Sequence, residues 1–303
     1  MAVNFLKTAK KAAPPMGVKF LLHKHLSGYD PARSISRIHA SDLTKEGGIC
    51  PRYYALHDLT GQKPKDQWLT TSERMTFQIG RDQERNIVLW FAEMGRAVCH
   101  WKCTNCGTVH DFTLRPAACK HCGCKWTEPK EVRFESAICG ASCGIDMLVK
   151  LNQPKLRVTE LKTMDKEEFK ALKAPLAEHQ WRTNLYLRLI AESAHPWSNQ
   201  VDTEEATILY VSKGGYGCQD AEPEKWGMFE KYSPFKEFAI KRNDALTDGI
   251  VNRAKVVTDF RKGLIPSPCG ICSNALTKRA MKCPMKKHCF SGEYPAQHEW
   301  KDV

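Results

Sequence analysis

Two sets of side chains in this sequence have the types and spacing for chemistry. The first is Glu160-Leu161-Lys162, at the end of a strand-like run, with Asp146 on the run before it. In an extended chain residues i and i+2 share a face, so Glu160 and Lys162 project together while Leu161 turns inward. Asp146 and Glu160 can then converge. Two carboxylates with open water positions suit Mg²⁺ or Mn²⁺, which take hard oxygen ligands. Such an ion polarises a phosphate and lowers the pKa of a bound water. Lys162 would orient or deprotonate that water, or stabilise charge building on the phosphate. Taken alone, Glu-x-Lys is also the pattern of solvated charges at a strand end, so its meaning depends on what surrounds it.

The second set is sulfur. Cys103-x2-Cys106 and Cys119-x2-Cys122 are matching knuckles, twelve residues apart, each followed by a glycine. Four thiolates at this spacing describe a structural Zn²⁺ site of the zinc-ribbon kind. His121 and Cys124 lie beside the ligands as bystanders. A ribbon can staple an insertion too small to hold a core. With Lys102, Arg115, Lys120 and Lys125 it could equally contact a nucleic acid. A further group is split along the chain: Cys50 comes early, and Cys269, Cys272, Cys283 and Cys289 come late. There are 14 cysteines and no secretory signal, which favours metal ligation over disulfides.

The elements that must position these groups can be read from periodicity. A helix through 50–56 starts late, held back by Gly47, Gly48 and Pro51. A long helix spans 72–95, with Met75, Ile79, Ile87, Leu89 and Phe91 on its apolar face. Strands are expected at 131–137, 144–151 and 155–161, the last two joined by a turn at Asn152-Gln153-Pro154. Helices follow near 166–173 and 177–192, then a buried-type strand at 206–212 and a long polar helix over 235–261. This order predicts an α/β fold, a mixed sheet flanked by helices. The expected organisation is a basic lead-in over 1–40, a core formed by 41–100 and 129–262, a zinc-ribbon insertion at 101–128 and a cysteine clasp over 263–303.

Asp146 followed by Glu160-Leu161-Lys162 resembles the D…(D/E)xK signature of the PD-(D/E)XK nuclease superfamily, and Gly144-Ile145-Asp146 resembles its G-x-D strand. Gly80-Arg81-Asp82-Gln83-Glu84 is similar to the G-x-x-x-H/E motif of the RecB-like branch, which implies Glu84 as a third metal ligand. The helix from Glu178 to Tyr186 resembles the one carrying that branch's Q-x-x-x-Y motif, implying a nucleic-acid-binding role there. Arg182 stands where the glutamine would be and Gln180 comes two places early, so Gln180, Arg182 or neither takes that role, beside Tyr186. Cys50-Pro51-Arg52-Tyr53-Tyr54 resembles the first cysteine motif of RecB-like exonucleases with an iron–sulfur clasp, such as the CRISPR-adaptation exonucleases and AddB-type nuclease domains. The resemblance implies a restriction-endonuclease-like core and a 4Fe-4S cluster on Cys50, Cys283, Cys289 and one of Cys269 or Cys272. Compared with the family's spacing, an extra ten residues separate Cys269-x2-Cys272 from Cys283-x5-Cys289. Zinc is the alternative occupant of that clasp.

The net charge of +12 points to a polyanionic partner. No stretch approaches the ~18 apolar residues of a membrane span, and the expectation is a cytoplasmic protein. Lys213-Gly214-Gly215 lacks the Walker pattern, so any helicase or recombination partner would be another chain. Together these features predict a metal-dependent DNA nuclease, an exonuclease acting from ends by its resemblance. The alternatives are a non-catalytic nucleic-acid-binding zinc-ribbon protein and an RNA substrate.

Overall fold

A computed structural model describes residues 18–31, 35–44, 49–61, 67–213, 233–264 and 272–290. The chain runs α1 (Val18–Leu26), β1 (Gly28–Asp30), β2 (Ile38–His39), α2 (Ala40–Leu43), α3 (Pro51–Thr60), β3 (Gln67–Leu69), α4 (Thr71–Glu93), β4 (Ala97–Cys103), β5 (Val109–Leu114) and β6 (Thr127–Lys130). It continues through β7 (Val132–Glu135), β8 (Ala141–Ile145), β9 (Met147–Val149), β10 (Leu156–Met164), α5 (Lys166–Ala171), α6 (Ala177–Ala191), β11 (Val201–Ser212) and β12 (Phe235–Lys241). Three helices close it: α7 (Asp248–Arg261), α8 (Lys278–Lys282) and α9 (Lys286–Phe290).

The fold is mixed α/β. One seven-stranded sheet has the order β12-β11-β10-β9-β4-β5, with β6 also paired to β4. Within it β10 and β11 are parallel and the other pairs antiparallel. A small sheet, β2-β8-β7, lies beside it. The chain leaves the small sheet at Ile145 and enters the large one at Met147, so Asp146 sits at the crossing point.

Helices cover both faces of the large sheet. Ile87 and Val88 of α4 pack with Cys99, Trp101, Met147, Val149 and Leu161. Strand residues of the other parity, Val98, Leu148, Val158 and Ala206, pack with Leu185, Leu189 and Ile190 of α6. Helix α6 is buried nearly all round in its second half because it lies between the two sheets, touching β11 on one side and β7 and β8 on the other. Helix α4 begins with a full capping box: Glu73 N–H donates to the Thr70 hydroxyl, and Thr70 N–H donates to Glu73.

One expectation changes, and one segment is seen to continue into its neighbour. The helix expected over 235–261 is a strand, β12, followed by a helix, α7. Lys and Glu lower the intrinsic strand preference of Phe-Lys-Glu-Phe-Ala-Ile-Lys, but the edge of β11 offers a ladder along seven residue pairs. Ile240 and the half-buried Phe238 then join Tyr210 and Phe169 in the core, and Lys236 Nζ donates to the Phe169 and Leu172 carbonyls that end α5. The expected module boundary at residue 101 falls inside β4, and both later strands of that segment, β5 and β6, pair with β4. The cysteine hairpin is therefore an outgrowth of the main sheet. No helix among the described residues is long and apolar enough to cross a membrane.

Candidate functional site

Strand β10 places Glu160 and Lys162 on the face toward α6, with Leu161 fully buried against the α4 side. Lys162 Nζ lies 2.5 Å from Glu160 Oε1. Asp146 is tied to the same strand, because its Oδ2 accepts the Leu161 backbone N–H at 2.9 Å. Glu160 is only 2% exposed, and its second oxygen, Oε2, is buried with no hydrogen-bond partner.

Burial pushes the Asp146 carboxyl well above the usual carboxylate range, and the nearby Glu160 and Glu84 charges add to this against the pull of Lys162. Glu84, on α4, is also raised by burial, with Glu160 and Glu131 contributing. Burial works against charge on Lys162, yet Glu160 and Asp146 outweigh it and hold its pKa above the ordinary lysine value. The three expected acids and the lysine therefore share one electrostatic neighbourhood, although the three acids do not form a set with one oxygen each within 4.8 Å of the others.

Two glycines make the approach possible. A Cβ on Gly80 would sit 3.2 Å from Thr163 Oγ1, so glycine lets α4 lie close on β10 and brings Glu84 to the strand. At Gly144 a Cβ would meet Glu131 Oε2 at 2.1 Å. The missing side chain leaves the space that Glu131 occupies, beside Arg133. Glu131 is a fourth acid that sequence reasoning passed over. Its signal was the Arg133–Gly144 register, which pairing of β7 with β8 alone reveals.

Helix α6 supplies the other wall. Arg182 Nη1 stands 3.8 Å from Glu160 Oε1, and its Nη2 donates to Glu178 at 2.6 Å. Tyr186 is buried one turn on, its hydroxyl pKa raised by burial and by Glu160 and Asp146. The structure thus brings Arg182 and Tyr186 to the carboxylates. Gln180 contributes its backbone carbonyl to Asn184, and Asn184 Oδ1 anchors Asn243 instead of the site. His179 completes a stripe with Arg182 and Tyr186 at i, i+3 and i+7, a spacing that could have revealed it. Its Nδ1 is 2.8 Å from Tyr210 Oη. That hydroxyl also accepts the Leu176 N–H at 3.0 Å. Burial, with Lys162 and Arg182, lowers the His179 pKa to about 4.

The expected hairpin cysteines also meet. The Cys103 and Cys122 sulfurs are 3.6 Å apart, as are those of Cys106 and Cys119, and all four lie within 4.8 Å of one another. Tetrahedral bonds of 2.3 Å imply sulfur spacings of about 3.8 Å, so the quartet fits a single ion. Gly107 and Gly123 hold φ of 74° and 73°, the left-handed turn that closes each knuckle. Cys50 caps α3 and lines one cavity with Cys272, Cys283 and Cys289. The other three thiols together raise the Cys283 pKa, after burial. Among these four, no three sulfurs fall within 4.8 Å of one another. Cys269 lies outside the described residues.

No family model matches the chain, and no curated protein does. Similar solved structures include LHK-Exo in complex with dAMP, at a TM-score of 0.41 and 13% identity over 75% of this chain and 88% of that one. An alkaline exonuclease (LHK-Exo) from Laribacter hongkongensis scores 0.39 at 14% identity, with the same coverage. SSO0001 scores 0.36 at 15% identity over 92% of this chain and 94% of that one. Similarity at this level leaves the chemistry of the chain to be judged on its own geometry.

Proposed function

We propose that the chain is a metal-dependent deoxyribonuclease of the PD-(D/E)XK kind, with Asp146, Glu160 and Glu84 as ligands of Mg²⁺ or Mn²⁺. The observation that carries this reading is Glu160. A buried carboxylate oxygen without a partner, next to a second buried acid that it repels, is costly unless a cation bridges them. All-oxygen donors of this kind match hard divalent ions. When bound, the ion supplies Lewis acidity to a phosphate and to a water.

The chain's own groups do the rest. Lys162, held charged by its two carboxylate neighbours, places a positive Nζ at the strand end where phosphate charge would build. Arg182 adds a second positive group on the same side. Tyr186 keeps its proton, as a hydrogen-bond donor at the edge of the site. A purely nucleic-acid-binding protein gains nothing from buried acids at this point, since they repel phosphate.

The finer parts of the reading concern the sulfur. The hairpin quartet, as a zinc ribbon, holds Zn²⁺. The clasp of Cys50, Cys283 and Cys289, with Cys269 or Cys272 as the fourth ligand, holds a 4Fe-4S cluster, whose larger inorganic core suits sulfurs spaced more widely than a single zinc ion requires. The resemblance of the Cys50 motif supports an exonuclease that begins at DNA ends. The test is cleavage of end-labelled linear DNA, covalently circular single-stranded DNA and RNA with and without Mn²⁺. Cleavage of linear DNA should require Mn²⁺ or Mg²⁺ and vanish in Glu160→Gln and Lys162→Ala, with binding retained. Full activity in Glu160→Gln would remove the proposed site, and equal decay of circles would remove the end requirement alone.

A further inference from the structure

Glu84, one of the acids of the carboxylate site, also lines a cleft of about 310 Å³ between α4 and the end of β10. Its floor is Thr163 at the end of β10, one wall is α4, and Lys213 closes the far side. From α4 it takes Phe77, Gly80, Arg81 and Glu84, spaced i, i+3, i+4 and i+7, so all four lie on one helical stripe. Lys213 follows β11 and is fixed there by its backbone N–H, which donates to the Met164 carbonyl at 2.9 Å.

Resting on the reading of Asp146, Glu160 and Glu84 as a nuclease site, we propose that this cleft seats one nucleoside of a single-stranded nucleic acid next to the phosphate being cut. Phe77 is the stacking platform for its base, and Arg81 and Lys213 take the flanking phosphate. Three observations converge. Glu84 belongs both to the acid cluster and to the cleft, so a strand lying in the cleft is continuous with the metal site. Phe77 is 49% exposed inside this cleft. A single exposed ring on a surface means little, but this one is flanked by cations and the acid site. Among the described residues neither Arg81 nor Lys213 is in an ion pair within 4.0 Å, and Arg81 acts on Glu84 only through the weaker attraction that lowers its pKa. Gly80 carries no side chain, which lets α4 approach Thr163 at the floor of the cleft. Stacking on an aromatic face tolerates any base, so the cleft serves a sequence-neutral enzyme.

A base-dependent test separates stacking from general binding. Affinities are measured in Ca²⁺, in the Glu160→Gln background, for a fluorescent oligo(dT) and for an abasic oligomer of equal length and charge. Phe77→Ala is expected to weaken oligo(dT) binding by roughly tenfold and to leave the abasic oligomer unchanged. Phe77→Trp restores the oligo(dT) affinity. Arg81→Ala and Lys213→Ala are expected to weaken both oligomers, each lowering the slope of log affinity against log salt by about 0.7. Equal loss on both oligomers in Phe77→Ala, or no loss on either, overturns the proposal. Cleavage by the otherwise wild-type protein is followed separately. If it cuts DNA while Phe77→Ala shows no base-dependent loss, the cleft assignment falls and the nuclease reading stands. If binding shows the base dependence but no strand is ever cut, the nuclease reading falls and the cleft remains a nucleic-acid site.

Discussion

Asp146 and Glu160 are each held in place by one strong contact, the Leu161 N–H on Asp146 and the Lys162 ammonium on Glu160. What neither contact removes is the repulsion between two buried acids. The raised Asp146 pKa means that folding favours its protonated form, so this group's contribution to stability is present at low pH and lost as pH rises through the folded-state value. Asp146→Asn, whose amide oxygen can still accept from Leu161, should therefore raise the melting temperature of the metal-free protein at pH 7 by roughly 2–4 °C. It should also abolish the stabilisation that Mn²⁺ gives the unmodified chain, as read by differential scanning fluorimetry with and without the ion. A lower melting temperature for Asp146→Asn would contradict this account. Arg182 and Gln180 can be separated in the same way. Arg182 faces Glu160, so Arg182→Ala should lower kcat by roughly 10²-fold. Gln180→Ala should stay within a few-fold in the same steady-state assay.

At the scale of elements, α6 is joined to β11 by a hydrogen bond that involves a titratable group. His179 Nδ1 lies 2.8 Å from Tyr210 Oη, and burial beside Lys162 and Arg182 favours the neutral imidazole there. Its folded-state pKa of about 4 lies below the unfolded value near 6.5. The sign follows directly: the stability from this contact is complete above pH 6.5 and is lost as pH falls toward 4. Asp146 and Glu84, both with raised values, act in the opposite direction. Urea unfolding of the metal-free protein at a series of pH values, for the unmodified chain and His179→Gln, isolates the imidazole. The difference in stability between the two should shrink as pH drops from 6.5 to 4. A difference that is constant with pH would mean that His179 only fills space.

For the molecule as a whole, the cysteine centres act at different ranges. The hairpin quartet joins residues 103–122 starting from the last residue of β4, whose first half is locked between β9 and β5. Cys50, before α4, lines one cavity with Cys272, Cys283 and Cys289, after α7, so a metal centre held there would tie these distant segments together. Closing a long loop removes more unfolded-state entropy than closing a short one, though only logarithmically. Cys106→Ser should thus lose the hairpin metal and increase hydrogen exchange in β5 and β6, leaving exchange in β10 and β11 near normal. Cys50→Ser should release the clasp metal and lower the cooperative melting temperature of the entire chain. Elemental analysis of anaerobically purified protein should find both iron and zinc. Zinc alone, at about two per chain, would make the clasp a second zinc site.

The amino-acid sequence by itself determined the groups whose meaning is local. Glu160 and Lys162 share a face because of the two-residue strand repeat, and the hairpin cysteines meet because C-x2-C turns need only a few residues and a glycine. The helices α4 and α6 were legible for the same reason, since the apolar pattern that marks each lies within its own segment. Tertiary structure alone decided what depends on a neighbour distant in the chain. Phe235–Lys241 becomes a strand only because β11 offers an edge. Arg182, not Gln180, meets Glu160 because the rotation of α6 is set by packing between two sheets. Glu131 and the Phe77 cleft stayed hidden because each needs two elements brought within a few ångströms across a glycine, at Gly144 and at Gly80. Periodicity reports which way a side chain points from its own backbone. Only packing reports what it points at.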